Sequence, residues 1–430
     1  MRESSGNCGK CGICLSVCPV YKVLKEEQAS PRARVQLIRA YGEKRLASTP
    51  LLKELIAKCL MCGSCAANCP SGVDHYNSFM EMRSRLIDDH GDRLEIRGLV
   101  YLLARERRLR MAMGMARMGQ GVLPDRVAAR FKLGNIAVDR FPRLNSRQFR
   151  KTVPEEIAPA KEAGQERGTV LYFTGCASNY IYGETGEAVV GLLTRLGYRV
   201  IIPREQSCCS VPMLYHGGVD EALTNIEQNI KSFHRPDIKA IIVDCPTCGS
   251  ALKHEFAAMM ERFDRGELMR QKALDIAEKT VDIMSFVYSH LSEMRFSRDS
   301  STPIPEGPVS YHLPCHLKNS FVSAERVLNN IAEVDYVAAE DTSECCGGGG
   351  TFFYEYPEVA GKIAGSKIDN IRRTGAKTWL TDCPVCRINL SARLDSADDI
   401  TMMHPAKYLQ QKLVDVIREE DGDCDSCNGL

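Results

Sequence analysis

Two stretches of the chain share one rhythm of hydrophobic and polar positions. In the first, the apolar runs VLYFT (170–174), YRVII (198–202) and AIIVD (240–244) alternate with amphipathic segments at 181–196 and 219–233. In the second, VSYHL (309–313), VDYVA (334–338) and TWLTD (378–382) take the same places. Short runs rich in β-branched and aromatic residues predict strands, and the longer segments predict helices. Each stretch therefore reads β-α-β-α-β-α. Nearly continuous apolar strands between helices imply parallel sheets covered on both faces. The polar segments 151–168 and 295–308 read as linkers before and between the copies.

The N-terminal part has helical rather than strand periodicity. Ser30 is placed to cap a helix with Pro31 at its first position, and Val35, Leu37, Ile38 and Tyr41 share a face. The pattern divides the chain into a helical domain (1–92), a basic helical region with linker (93–168), a first α/β domain (169–294), a linker (295–308), a second α/β domain (309–412) and an acidic tail (413–430). Residues 93–150 carry 14 Arg+Lys against 4 Asp+Glu, with Met111, Met113, Met115 and Met118 close together. The expected arrangement packs these methionines on the second half and leaves the arginines solvated. The competing reading is a surface for a partner protein or an anionic membrane face, with the chain peripheral on the inner side of the membrane. From Asp395 to Leu430 there are 9 acidic and 3 basic residues.

Composition narrows the class. The 430 residues hold 56 Lys+Arg and 55 Asp+Glu, a balance that argues against a nucleic-acid partner. No run approaches the length of a membrane-spanning helix, and MRESSGNCGKCGICL lacks a secretory core, so a cytoplasmic protein is expected. Against this ordinary background stand 20 cysteines, which in a reducing compartment point to metal more than to disulfides.

Eight of them form CGKCGICLSVCP and CLMCGSCAANCP, each C-x2-C-x2-C-x3-C-P. Three close thiolates at this spacing bind one cubane [4Fe–4S] cluster and the fourth reaches across to the other. That predicts one cluster on Cys8, Cys11, Cys14 and Cys69, and a second on Cys59, Cys62, Cys65 and Cys18. Pro19 and Pro70 turn the chain after each crossing ligand, and Gly9, Gly12 and Gly63 allow close backbone approach. Zinc ribbons would take their ligands as two pairs and leave the remaining thiols idle.

Ten more cysteines repeat with the strands. Cys176, Cys208, Cys209, Cys245 and Cys248 are followed by Cys315, Cys345, Cys346, Cys383 and Cys386, offset by 137 to 139 residues. A duplicated domain explains this. Every group directly follows a predicted strand, so the five thiols of a copy converge at the carboxyl ends of a parallel sheet. Pro246 and Pro384 suit helix starts whose positive ends stabilise thiolates. Five thiols exceed what one cubane needs. An unusual iron–sulfur cluster, a structural zinc with a spare thiol and a vicinal disulfide all fit the spacing, the first best beside two cubane motifs.

The double ferredoxin motif followed by two C-x(~30)-CC-x(~36)-C-x-x-C domains resembles the cysteine-rich-domain (CCG) iron–sulfur oxidoreductase family. That family includes the iron–sulfur subunits of glycolate and lactate oxidases, a component of anaerobic glycerol-3-phosphate dehydrogenase and the catalytic subunit of heterodisulfide reductase. The resemblance covers roughly residues 8 to 410. It implies a helical two-[4Fe–4S] ferredoxin-like domain followed by two α/β cysteine-rich domains, with one or two further clusters, noncubane in kind, on the two five-Cys sets. The first copy departs from the family's pattern at Ser210, where the second has Gly347, which makes the second site the better match.

Other features carry less. Gly347 to Gly350 lacks the Gly-Lys-Ser/Thr ending of a phosphate loop, and no GxGxxG follows a predicted strand, so no flavin is expected in this chain. His216, His312 and His316 read as hydrogen-bond partners of sulfur or backbone, with proton transfer as the alternative. Cys424 and Cys427 fall in the tail without a defined role. The resemblance implies an electron-transfer subunit serving an FAD-containing 2-hydroxyacid (lactate/glycolate-type) dehydrogenase and passing electrons to a quinone or other carrier. The alternatives are a heterodisulfide-reductase-like catalyst, or a relay for an electron-transferring flavoprotein.

Overall fold

The computed structural model describes residues 7–122, 125–298, 304–317 and 321–417. Cys424 and Cys427 lie outside the described residues. Among those described, every regular element before residue 132 is helical. Helix α1 (Pro31–Gly42) begins where expected: the Ser30 hydroxyl accepts from Ala33 N at 3.1 Å, and Pro31 opens the first turn. Helices α2 (Pro50–Ala57) and α3 (His75–His90) are capped by Thr49 and Asp74. The three pack through Val35, Ile38, Leu52, Ile56, Phe79, Met82 and Leu86.

Helices α4 (Leu94–Leu103) and α5 (Glu106–Val122) carry the basic region. The packing expected of its methionines does not hold. Met113 touches the core, but Met111, Met115 and Met118 are 60%, 66% and 68% exposed. Leu109 is the buried anchor of α5 and Met113 packs beside it, while Met111, Met115, Met118 and Val122 face outward.

The first repeat is a five-stranded sheet in the order β1-β3-β2-β4-β5, built from β1 (Glu156–Ile157), β2 (Gly168–Phe173), β3 (Tyr198–Ile201), β4 (Ala240–Val243) and β5 (Thr280–Asp282). Strands β2 to β5 are parallel, with Val170 opposite both Val200 and Ala240. Strand β1 joins antiparallel at the edge, so the segment 151–168 is more than a linker. All four residues of β4 are buried, which is why it reads as an unbroken apolar run. After the strands come α6 (Gly175–Tyr180), α7 (Gly183–Arg195), α8 (Val211–Tyr215), α9 (Val219–Phe233) and α10 (Pro246–Ser250).

Strand β6 (Met294–Phe296) ends this part, and a second parallel sheet follows in the order β9-β8-β7, from β7 (Val309–Tyr311), β8 (Thr378–Leu380) and β9 (Thr401–Met403). The run 334–338, expected as a strand, forms one parallel bridge between Tyr336 and Val309. It keeps two ladder bonds, Val309 N to Asp335 O at 2.7 Å and Val337 N to Val309 O at 2.8 Å. The bridge stands where β3 stands in the first repeat, so the strand order is duplicated although one member is a stub. Strands β5 and β9 were not foreseen. Helices α11 (Pro357–Thr374), α12 (Pro384–Ser391) and α13 (Pro405–Lys412) complete the copy, and β10 (Leu413–Val416) pairs antiparallel with β6. The ends of the expected linker and tail are thus joined to each other.

The parts share cores. Val170, Tyr172, Val189 and Leu192 of the first repeat pack with Tyr311, Leu380, Met403 and Leu409 of the second. Cys18, Val20 and Leu60 from the N-terminal region pack with Cys345, Phe352, Ala360 and Ile363.

Candidate iron–sulfur centres

The two N-terminal loops repeat one backbone conformation. Lys10 and Met61, each two residues after the first cysteine, have φ of 56° and 53°, and Gly12 and Gly63, two residues further on, have φ of 86° and 71°. Both glycines cap a short helix, Ile13–Ser16 and Ser64–Ala67, that carries the third cysteine. This alternation curls each loop so that its thiols share a concave side. Gly9 differs: a side chain there would stand 3.8 Å from Ser71 Oγ, an ordinary contact, which also shows the segment after Cys69 lying beside the first loop.

Cys18, Cys59, Cys62 and Cys65 line one pocket, together with Met61, His75, Tyr76 and Phe79. Cys18 thus comes to the thiols of the other loop, as the spacing predicts. Burial pushes the Cys18 thiol up to about 11, while the Tyr21 N–H at 3.5 Å and the Arg34 charge pull it down. Burial and the neighbouring sulfurs Cys59, Cys62, Cys18 and Cys14 hold Cys65 far above the ordinary thiol range. In the first loop Cys14 feels Cys8 and Cys11. Four soft donors, crowded and desolvated, fit an iron–sulfur centre, which supplies the positive charge that buried thiolates need.

Sequence reasoning missed what holds the second loop. Arg34 on α1, 1% exposed, donates Nε to Leu55 O at 2.9 Å and Nη2 to Lys58 O. Arg83 on α3 donates to Ala57 O at 2.7 Å and Cys59 O at 2.5 Å. Two buried guanidinium groups therefore take up the carbonyls at the end of α2 and the start of the loop.

Both five-thiol sets converge. In the first, Cys209 is hydrogen-bonded to Cys208 and Cys248, which hold it well below the usual thiol range, and Cys248 is bonded to Cys245. Burial and the charges of Cys209 and Cys245 push Cys176 up to about 12. In the second, Cys345 is bonded to Cys315 and Cys346, and Cys346 lies 3.0 Å from Cys386, sulfur to sulfur. Cys346 is likewise held low, by Cys345 and Cys386 first and by His312 after them. All eighteen described cysteines are free thiols.

Ser210 adopts the left-handed conformation that Gly347 adopts, at φ 77° against 81°. Its hydroxyl donates to Ala222 O at 3.1 Å, a bond that glycine cannot make. The two sites thus share backbone geometry. The glycine run after Cys346 has a steric cause: a Cβ on Gly349 would lie 2.5 Å from Leu60 Cδ2, and one on Gly348 2.8 Å from Val385 Cγ1. The loop is thin because it passes between the second N-terminal loop and the second five-thiol set.

Two of the sets lie against one another: Cys18 and Cys345 share a core with Cys62 and Cys315 packed on it, and Cys62 is hydrogen-bonded to Cys345. The charge of Cys14 is felt at Cys65, and that of Cys383 at Cys245. A second feature unread in the sequence duplicates with them. Tyr172 Oη donates to Asp244 at 2.7 Å and Tyr311 Oη donates to Asp382, each buried aspartate preceding a C-P-x-C turn. The DCPxC repetition was the available signal. Burial raises Asp244 to about 6 and Asp382 to about 7. The histidines divide. His312 bonds Cys346, His316 Nδ1 lies 3.7 Å from Cys315 Sγ, and His216 ties Asp92 at 3.3 Å to Thr351 at 2.7 Å, joining three regions away from sulfur.

Comparison with known proteins agrees with this arrangement. Residues 4–73 match the 4Fe-4S dicluster domain, and residues 170–253 and 309–391 each match the cysteine-rich domain CCG. The chain is 26% identical over 417 residues to the probable glycolate oxidase iron-sulfur subunit of Bacillus subtilis (strain 168), covering 90% of this chain and 89% of that one. It is 25% identical over 413 residues to the glycolate oxidase iron-sulfur subunit of Escherichia coli (strain K12), covering 94% and 93%. It is 26% identical over 416 residues to one of the chains of the fumarate reductase (CoM/CoB) of Methanothermobacter marburgensis, covering 95% and 72%. The chain thus carries a match to the dicluster domain followed by two matches to the cysteine-rich domain, in the order the cysteine motifs imply, and it is similar nearly end to end to iron–sulfur subunits of oxidoreductases.

Proposed function

We propose that this chain is the iron–sulfur electron-transfer subunit of an FAD-linked 2-hydroxyacid dehydrogenase complex of the lactate or glycolate type. A flavoprotein partner oxidises the substrate, and this chain passes the electrons to a quinone or another carrier. The observation that carries the reading is the packing of the N-terminal thiols on the second five-thiol set, where Cys18 and Cys345 share one core and Cys62 and Cys315 lie against it. The names of the Bacillus and Escherichia relatives support the substrate class.

In this reading Cys8, Cys11, Cys14 and Cys69 hold one cubane, and Cys59, Cys62, Cys65 and Cys18 the other. Cys176, Cys208, Cys209, Cys245 and Cys248, and then Cys315, Cys345, Cys346, Cys383 and Cys386, hold noncubane [4Fe–4S] clusters. Such clusters supply one-electron carriers, which divide the electron pair delivered by a flavin. The chain's own residues keep the path dry and tune it. His312, the Gly348 N–H at 3.3 Å from Cys346 Sγ and the Met61 N–H at 3.4 Å from Cys59 Sγ place positive dipoles on sulfur. The outward face of α5, with Met111, Met115 and Met118 among arginines, is the surface this reading gives to the partner subunit. Among the described residues no helix is long and apolar enough to cross a membrane, so a quinone is reached through a partner or at a peripheral contact.

A second reading, a disulfide-cleaving catalyst, is favoured by one observation: Asp244, Cys245, Asp382, Arg387 and His404 line a small pocket where the two five-thiol sets meet. Anaerobic purification of the native complex separates the two. The relay requires a stoichiometric FAD-bearing partner reducible by lactate or glycolate and a chain carrying about sixteen irons. A chain that purifies without flavin and reduces disulfides from an artificial donor moves the active site into this polypeptide.

A further inference from the structure

A buried polar chain threads the space between the thiol sets and meets the second of them at His316, whose Nδ1 lies 3.7 Å from Cys315 Sγ. Tyr76 Oη, on α3, and Tyr215 Oη lie 2.9 Å apart and share one hydrogen bond, and Tyr215 Oη lies 2.9 Å from His316 Nε2. His316 Nδ1 is 3.4 Å from Thr247 Oγ1. At the other end the Glu255 carboxyl is bonded to Tyr76 and lies 3.3 Å from Ser250 Oγ. Glu255 closes a single π-helical turn, Ala251–Glu255, spliced between two α-helical segments. The wider turn rotates this side chain inward, a feature that recurs at functional sites.

Glu255 is 8% exposed and has no basic residue paired with it in a salt bridge among the described residues. The titratable groups around this chain are Tyr76 and Arg83 of α3, Tyr215 of α8, and His316 and Cys315 of the loop after β7. Burial pushes its carboxyl up to about 7, while the His316 charge and the Tyr76 and Ser250 hydrogen bonds draw it down. The chain reaches several of the candidate centres. Tyr76 lines the cavity of Cys18, Cys59, Cys62 and Cys65, and the His316 charge is felt at Cys209 and Cys383. An electron added to a buried centre is costly in a low dielectric unless positive charge follows it.

We propose that Glu255 is the proton-loading site of these centres. When one electron from a one-electron donor enters a cluster held by the neighbouring thiols, the Glu255 carboxylate takes one proton from bulk water onto a carboxylate oxygen. The proton returns to water when the electron leaves, and no other bond forms or breaks. Tyr76 and Tyr215 transmit the charge change, because each hydroxyl can turn its proton toward either neighbour. The inference rests on the cluster assignment under Proposed function.

The test is a redox titration of the full iron-loaded chain with dithionite from pH 6 to 9, followed by electron paramagnetic resonance and by reduced-minus-oxidised infrared difference spectra. In the unmutated chain, at fixed potential above the break, the reduced-to-oxidised ratio of one centre falls about tenfold per pH unit, one proton per electron. A carboxylic C=O band appears on reduction. Glu255→Gln removes both while keeping iron content. Tyr76→Phe, which takes one donor from the carboxylate, moves the break to higher pH, and it decides the matter if Glu255→Gln fails to load iron. A pH-independent midpoint in the unmutated chain, a band that persists in Glu255→Gln, or an unmoved break in Tyr76→Phe overturns the proposal. Absence of cluster signals from the unmutated chain would instead overturn the cluster assignment.

Discussion

The thiol of Cys62, in the second N-terminal loop, is hydrogen-bonded to the thiol of Cys345, more than 280 residues later in the chain. The contact places the end of the N-terminal pair of loops directly against the vicinal cysteines of the second repeat. In the proposed relay it orders the two five-thiol sets: electrons from the N-terminal region enter the second set first and reach the first through Cys245 and Cys383.

Replacing Cys345 by serine tests that order. Cys345→Ser should lower iron by about four per chain while leaving both N-terminal cubane signals in the resonance spectrum. Electrons supplied to the N-terminal loops should then fail to reach the first five-thiol set on the time scale of turnover. Freeze-quench spectroscopy reads this directly, and unimpeded reduction of that set would show a second route.

The Gly349–Leu60 contact is the steric counterpart of the same junction. A Cβ at Gly349 meets Leu60 Cδ2 at 2.5 Å and Phe352 Cβ at 2.8 Å, at a φ of 49°. Gly349→Ala should cost about 1–3 kcal/mol in urea unfolding by overpacking, with a further part from the left-handed backbone. Combining it with Leu60→Ala should recover the part of the overpacking due to Leu60 and leave the Phe352 contact and the backbone part. A strictly additive double mutant would show that the loop has moved away from Leu60.

What could be read from the residues alone follows from how far each interaction reaches along the chain. The strands β2, β3, β4, β7 and β8, the Ser30 cap and the thiols following each strand are local patterns, and all are present. The approach of Cys18 to Cys59, Cys62 and Cys65 was legible because the motif's spacing encodes the crossing. The stub at Tyr336 was not, since VDYVA has strand composition but its neighbours allow only two ladder bonds. Arg34 and Arg83 look like solvated helix positions until the carbonyls they serve, around 20 residues away, are brought beneath them. Glu255 is hidden for the same reason, since its partner Tyr76 lies in another domain. The methionines of α5 were misjudged because composition tells how apolar a helix is, and not whether anything covers it.

Arg34 is a second point of leverage on the candidate site. Arg34→Met keeps the aliphatic volume but leaves Leu55 O and Lys58 O without their guanidinium donor. The cost should be roughly 2–3 kcal/mol of stability, and the Cys59–Cys65 loop should lose iron to a chelator faster than the Cys8–Cys14 loop. Arg39→Met, on the exposed side of the same helix in an i,i+4 pair with Glu43, should change neither. Equal release from both loops would mean that Arg34 supports the helices and not the loop.

The acid limb of stability should carry the mark of His404. This residue caps α13, with Nδ1 accepting from Ala406 N at 3.0 Å and Nε2 at 2.8 Å from Asp244 O. Burial lowers it to about 4, the Asp244 carbonyl pulling the other way. The unfolded chain binds this proton near pH 6.5 and the folded chain does not until about pH 4. Between those values the unfolded state holds more protons, so stability is full above pH 6.5 and falls as the pH drops toward 4. The loss is on the order of 3 kcal/mol for this one group. His404→Asn preserves an acceptor for the Ala406 N–H and cannot take up the proton. Its denaturation midpoint should therefore vary less than that of the unmutated chain between pH 6.5 and 4, and converge on parallel behaviour above 6.5. Identical pH profiles for the two proteins would show that His404 is protonated in the folded state, and that the 2.8 Å contact is made by a charged imidazolium.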